Sequence, residues 1–206
     1  MDNRGVLAVV SGFSGAGKGT LMKALIAKHD NYALSISATT RSPREGEEDG
    51  REYFFKTKEE FEQMIEEDAL VEYAGYVGNY YGTPKDYVFS NIEAGRDVLL
   101  EIEIQGALKI KEKFPEAVLL FITPPSAAEL KNRLLKRGTE PAEVIEARLK
   151  RASEEAKGIE NYDFILVNDE VERCMEEMHA LIRSMHLRVK DHLPFISKIR
   201  EEMKAV

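Results

Sequence analysis

The chain is 206 residues long, 43% hydrophobic and 32% charged, with a formal net charge of −8. That length suits one sizeable core with inserted lobes, and the acidic balance argues against a general nucleic-acid or membrane-surface protein, which usually carries a basic footprint. A single cysteine, Cys174, rules out a disulfide framework or a multi-cysteine metal centre. Any anion site must therefore be local. No apolar run reaches membrane-spanning length, and Met1 to Gly5 lead into an apolar strand without room for a signal peptide, so a cytoplasmic location is expected.

The run Val6-Leu7-Ala8-Val9-Val10 reads as a buried strand, and directly behind it lies Gly12-Phe13-Ser14-Gly15-Ala16-Gly17-Lys18-Gly19-Thr20. The spacing G-x-x-x-x-G-K lets backbone N–H groups turn inward as an anion nest, while Lys18 brings one mobile positive charge to the outer phosphates. The helix that follows, through Leu21, Met22, Leu25 and Ile26, aims its unpaired N–H groups at the same anion. A glycine-rich turn without a ligand is the alternative reading; the strand before it and the amphipathic helix after it favour a phosphate loop. Gly19 stands where such loops usually carry a Ser or Thr for Mg²⁺, and Thr20 is one step further on.

Tyr32 to Ser37 alternates as a strand and runs into a polar stretch with Arg41, Pro43 and Arg44. Pro43 keeps this segment extended or turning, so the two guanidinium groups can converge on one tetrahedral anion; a solvated basic loop is the competing account. Arg51 to Phe55 reads as a short strand, Thr57 to Glu60 as a capping box opening a helix through Phe61, Met64 and Ile65. Ala69 to Tyr76 reads as a strand containing Glu72, and Gly78 to Pro84 as an aromatic-rich turn. This stretch breaks the βα rhythm around it and suggests a mixed α+β lobe over roughly residues 37–92.

The main sheet resumes with Asp97 to Glu103, whose strand end bears Glu101 and Glu103, and with Ala117 to Ile122. Carboxylates there lie on the edge of the sheet where open α/β folds bind ligands. Ser126 to Glu129 predicts another capped helix, through Leu130, Leu134 and Leu135 to Gly138, and Pro141 opens the next. Arg133, Arg137, Arg148 and Arg151 on this hairpin, with few large apolar residues, suggest a cationic lid over a triphosphate; a solvated hairpin paired to Glu143, Glu146 and Glu155 is the alternative. Tyr162 to Val167 reads as the last strand, followed by Asn168, Asp169 and a helix from about Val171 to Arg188. The stretch beyond Pro194 is charged and expected to be loosely held.

A phosphate loop, a cationic hairpin and a lobe with two arginines together imply two anionic substrates facing each other, the layout of a phosphoryl-transfer enzyme. With these motifs in this order over nearly the whole chain, the sequence resembles the guanylate kinases, which convert GMP and ATP to GDP and ADP. The resemblance implies a P-loop NTPase fold, a three-layer α/β/α core with a parallel sheet, an inserted mixed α+β GMP-binding lobe and a helical lid. Its expected division is a domain over residues 4–188, with core segments 4–36, 93–125 and 156–188, lobe 37–92, lid 126–155 and a tail over 189–206. By resemblance Arg41, Arg44, Tyr53 and Tyr81 hold the GMP phosphate, and Ser37, Glu72, Thr83 and Glu103 line the guanine.

Guanine presents two adjacent donors that a carboxylate such as Glu72 can accept, and an O6 to which Thr83 can donate. The resemblance further assigns Lys18, Arg41, Arg137 and Arg148 to phosphates around the transferred group. It places Arg137 and Asn168 near the ATP base and links Glu101 to the Mg²⁺ environment; Thr20, one step beyond Gly19, is a second candidate for the ion. Where the family pattern has Glu-Ile-Asp or Asp-Ile-Asp, this chain has Glu101-Ile102-Glu103; the added methylene is expected to push the Glu103 carboxylate toward the base. Three other readings stand beside this one: a non-catalytic phosphopeptide-binding module, a kinase for AMP or UMP, and a nucleotide-switched regulator. ATP and GMP are the expected partners, with no nucleic acid and no membrane; oligomeric state is open.

Overall fold

The computed structural model describes residues 4–76, 78–136 and 141–205. In chain order the elements begin with β1 (Leu7–Gly12), α1 (Lys18–Lys28), β2 (Tyr32–Leu34), β3 (Ala38–Thr39), β4 (Phe54–Phe55) and α2 (Lys58–Glu66). They continue with β5 (Leu70–Tyr76), β6 (Asn79–Pro84), α3 (Lys85–Glu93), β7 (Asp97–Glu101), α4 (Ile104–Lys113) and β8 (Val118–Thr123). Then come α5 (Ala127–Lys136), α6 (Ala142–Glu155), β9 (Phe164–Val167), α7 (Val171–Met185) and α8 (Leu193–Met203).

Strands of the main sheet run parallel in the order β2-β7-β1-β8-β9. Side chains alternate across a strand, so each buried strand feeds two cores. On one face Ala8, Val10, Leu120 and Ile122 pack with Leu21 and Leu25 of α1 and Met175, Met178 and Ile182 of α7. On the other, Leu7, Val9, Leu100 and Leu119 pack with Val88 and Ile92 of α3 and Ala107 and Ile110 of α4. This is the three-layer α/β/α arrangement the sequence predicts. β1 sits in the centre, and its C-terminal end opens into the glycine loop between β7 and β8, where parallel sheets of this kind bind ligands.

A second, mixed sheet, order β4-β3-β6-β5, rests on α2 through Phe61, with Ala38 and Leu70. The stretch from Gly78 to Pro84, read from sequence as a turn, is largely the strand β6, antiparallel to both β3 and β5. Its turn-like composition has other causes. Gly82 is needed because a Cβ would meet the Glu72 carbonyl at 2.8 Å and the Phe61 ring at 3.1 Å, and Pro84 ends the strand as the N-cap of α3. Only Gly78, with φ 76°, behaves as a turn residue.

Other boundaries also move. β2 stops at Leu34 and β4 is limited to Phe54–Phe55. Glu103 is not at a strand end but is the N-cap of α4, two residues beyond β7. Thr57 and Glu60 close the expected capping box; at α5 Ser126 accepts from the Glu129 N–H, while the Glu129 carboxylate is taken by Arg133. The stretch beyond Pro194 is helical as α8, with Pro194 in its first turn, although none of its residues is buried. No helix among the described residues is long and apolar enough to cross a membrane.

The end of the sheet away from the glycine loop is held by one buried carboxylate. Asp97 accepts from the Val6 N–H at 2.8 Å, His186 Nε2 at 2.7 Å and Asn31 Nδ2 at 3.0 Å, tying β1, the turn before β2 and the end of α7 together. Asp97→Ala strips three groups of their acceptor and should cost about 3 kcal/mol. The expected readout is a lower urea midpoint at unchanged slope; an unmoved midpoint would show that the clamp contributes nothing.

Candidate active site

The glycine loop has to turn a buried strand into a helix within five residues. Gly15 and Gly17 do so at φ 95° and 93°, a region costly for residues with a Cβ. A Cβ on Gly17 would also lie 2.6 Å from Asn168 Nδ2, and one on Gly15 would lie 2.9 Å from Leu134 Cδ2. Gly17 is the N-cap of α1 without a capping side chain, so the N–H groups of the first turn, beginning at Lys18 and Gly19, remain for an anion. Lys18 Nζ donates to the Gly12 carbonyl at 2.7 Å and reaches that of Phe13 at 3.4 Å, which keeps the ammonium over the loop. Phe13 itself packs edge-on to Phe121 of β8.

Asn168, assigned from sequence to the ATP base, stands against the glycine loop. Its side chain is buried and Nδ2 donates to the Ala16 carbonyl at 2.8 Å, so the end of β9 holds the glycine loop in place. Its Oδ1 is buried with no hydrogen-bond partner among the described residues, an acceptor suited to an N–H donor arriving beside the loop.

Between the second sheet and the main core lies a cleft of about 780 Å³, lined by Ser37, Tyr53, Glu72, Tyr81, Glu101 and Glu103 among others. Six residues predicted for the acceptor or the metal thus share one cavity. Thr83 joins them indirectly. Its hydroxyl donates to Glu72 Oε1 at 2.8 Å, so donation to a guanine O6 requires it to leave that bond. Glu72 is largely buried, and burial pushes its carboxyl above the ordinary range, opposed by the Thr83 hydroxyl and then the Lys109 charge.

At the mouth of the cleft Arg41 lies 5.3 Å from the centre of the Tyr53 ring, and the Tyr53 and Tyr81 rings are 6.1 Å apart, edge to face. Glu47, which the sequence reading did not single out, takes both oxygens to Arg41 Nη2 at 2.9 Å and accepts the Arg44 N–H at 2.7 Å. The Arg44 N–H, and then the Arg41 guanidinium, hold the Glu47 carboxyl below its usual range. Glu47 therefore shapes the 41–47 loop around Arg41; its only signal in the sequence is an acid within reach of two basic residues. Arg44 is exposed on the same loop.

The arginine-bearing hairpin is a better core element than its composition suggests. Leu130 and Leu134 of α5 meet Ile145 and Ala152 of α6, and the partly buried Phe13 of the glycine loop packs against them. This seam sets Arg148 Nη1 at 3.1 Å from Ser14 Oγ and Arg133 Nη1 at 3.4 Å from the Ala16 carbonyl. Arg137, predicted as a phosphate ligand, lies outside the described residues. Glu101 is exposed at the C-terminal end of β7, in register with Val10, and Thr20 is exposed on the first turn of α1. Among the described residues no group of three or more His, Cys, Asp or Glu converges as a metal cage.

Comparison with known proteins agrees with this geometry. The family model described as guanylate kinase matches residues 4–185. A guanylate kinase of Caldanaerobacter subterraneus subsp. tengcongensis is 55% identical over 98% of both chains. One from Bacillus subtilis is 49% identical over 98% of this chain and 99% of its own. The crystal structure of guanylate kinase from Anaplasma phagocytophilum matches with a TM-score of 0.71 at 31% identity, covering 94% of this chain and 93% of that one. A glycine loop at the end of the central strand, a carboxylate-bearing cleft beside it and likeness along the whole length lead to one conclusion: the chain belongs to the guanylate kinase family.

Proposed function

We propose that the protein transfers the γ-phosphoryl group of ATP to GMP, giving ADP and GDP. The observation that carries this reading is the largely buried Glu72, braced by Thr83, in a cleft whose wall includes Tyr53, which Arg41 overlies, and Glu101 at the end of β7. A carboxylate there accepts the N1–H and 2-amino donors of guanine together, whereas adenine would set a lone pair against it. Arg41, with Arg44, Tyr53 and Tyr81, binds the acceptor phosphate, and Ser37 and Glu103 complete the base site. The glycine loop, Lys18, Arg148 and Arg137 hold the ATP phosphates, and Asn168 both braces the loop and offers Oδ1 toward the ATP base.

In this scheme the protein supplies no general base, because the acceptor is already a phosphate oxygen. Its work is to align donor and acceptor and to surround the migrating charge with Lys18 and arginines in a water-poor cleft. Mg²⁺ neutralises charge on the ATP phosphates when bound. The donor set fits an ion carried in on ATP and its waters: Glu101 is exposed on the cleft wall, Gly19 has no hydroxyl to offer and Thr20 stands one residue beyond. We assign residues 4–36, 93–125 and 156–188 to the core, 37–92 to the GMP lobe, 126–155 to the lid and 189–206 to the tail, with α3 joining lobe to core through Val88 and Ile92. A cytoplasmic location suits this substrate pair.

The direct test is ADP formation from ATP and Mg²⁺ with GMP, AMP, UMP or no acceptor. Turnover is expected with GMP alone and is expected to vanish in Lys18→Met; a folded protein that binds GMP without turnover would return it to the binding-module reading. Glu72 provides a second test. Its pKa is raised in the fold, so it adds stability below its unfolded pKa and that contribution is lost as pH rises through the folded value. Ionisation of this carboxyl is thus a burden on the fold that recognition requires.

Glu72→Gln, which keeps an acceptor for Thr83, should raise the melting temperature at neutral pH. It should also lower kcat/KM for GMP roughly 10- to 100-fold. An unchanged kcat/KM would remove Glu72 from the base site. The same shift sets a pH dependence: protonation removes the acceptor, so as pH falls KM for GMP should begin to climb before an ordinary glutamate would titrate. A KM for GMP that rises no earlier than ordinary glutamate titration would contradict it.

A further inference from the structure

Glu103 borders two cavities. On one side it lines the acceptor cleft with Glu72, Ser37 and Tyr81; on the other it lines a space of about 550 Å³ beneath α6 with Ile104, Ala147, Glu155 and Gly158. Between the two, Arg151 Nη2 of α6 donates to Glu103 Oε2 at 2.5 Å, while Arg151 Nε donates to Glu155 Oε1 at 3.0 Å. The Glu155 pair stays within α6 and orients the guanidinium. The Glu103 pair crosses from the hairpin to the core. The Glu103 carboxylate is therefore held by Arg151 on the hairpin side of the cleft.

Arg148 and Arg151 are three residues apart on one helix, so they move together. Arg148 meets Ser14 of the glycine loop and Arg151 meets Glu103 at the border of the acceptor cleft. We infer that Arg151 is a positioning residue that couples the two substrate sites: with α6 seated on the glycine loop, it fixes the Glu103 carboxylate through Oε2 and leaves Oε1 to accept a donor from the acceptor base. Glu103 is otherwise a long side chain on the N-cap residue of α4, with 73% of its surface exposed, and Arg151 is 54% exposed. Holding that carboxylate in one geometry removes rotamer freedom before the base arrives. Linkage is reciprocal: whatever seats α6 over ATP tightens GMP, and GMP tightens ATP by the same factor. This inference rests on the reading of the cleft as the GMP site.

The experiment measures the Kd of GMP by calorimetry with and without a non-hydrolysable ATP analogue and Mg²⁺. It compares the natural protein with Arg151→Ala, Arg151→Lys, Glu103→Asp and the Arg151→Ala/Glu103→Asp pair. The natural protein should bind GMP more tightly when the analogue is present. Because the pair is partly exposed, Arg151→Ala should reduce that tightening about two- to fivefold, leaving GMP affinity without the analogue nearly unchanged. Arg151→Lys should restore part of it, and Arg151→Ala should add nothing in the Glu103→Asp background. In steady state the loss should appear in KM for GMP at saturating ATP, with kcat preserved. A tightening unaffected by Arg151→Ala, an equal loss with and without the analogue, or additive effects would each overturn the inference. A natural protein that binds no GMP at all would instead overturn the functional reading on which it rests.

Discussion

A chain that leaves the centre of a buried parallel sheet and must at once present bare N–H groups to an anion has few backbone solutions. Residues 12–17 adopt one, with Gly15 and Gly17 in the left-handed region and side chains of other elements pressed where their Cβ atoms would be. Because the loop is so short of its own side chains, its shape is imposed from outside. Asn168 at the end of β9 holds the Ala16 carbonyl, and Phe121 and the hairpin seam enclose Phe13. The order of the sheet and the seating of the hairpin both follow from this requirement: β8 and β9 stand on the side of β1 that must brace the loop.

Binding two polyanions in a protein of net charge −8 is a problem of placement. The chain meets it by giving cationic groups acidic neighbours. Arg41 is gripped by Glu47, Arg133 by Glu129, and Arg151 by Glu155 and Glu103. These pairs add little to stability where they are exposed. They do fix the direction of long, flexible side chains, so less entropy is lost when a phosphate arrives to share the guanidinium. In the inserted sheet, Glu72 is the inverse case: a carboxylate placed where the fold prefers it protonated, which makes good sense only if an arriving group supplies the missing donors.

Local rules accounted for a large part of the molecule. Apolar runs without alternation marked the parallel strands, since both faces of such strands are covered. The G-x-x-x-x-G-K spacing, the capping box at Thr57 and Glu60 and the proline before α6 depend on residues a few positions apart, so they are legible in the chain itself. The same holds for the family resemblance, which rests on the order of such local patterns. Composition also bounded the answer: one cysteine and an acidic balance left little room for multi-cysteine metal or nucleic-acid readings.

Long-range partners were a different matter. Gly82 and Pro84 read as turn residues, yet the strand β6 forms because Gly82 is the residue that fits beneath the Glu72 carbonyl and the Phe61 ring, a contact across a sheet. Glu47, the brace on Arg41, carried no pattern of its own. Asn168 was assigned to a base, and its grip on the glycine loop spans 152 residues of sequence. The Glu103 to Arg151 pair spans 48, and nothing local directs an oxygen of that carboxylate toward the hairpin. The sequence alone determined the strand and helix alphabet, the phosphate loop and the family, because those are written in short-range periodicity and backbone chemistry. Tertiary structure alone decided which acid holds which base, because that depends on the three-dimensional distance between elements far apart in the chain.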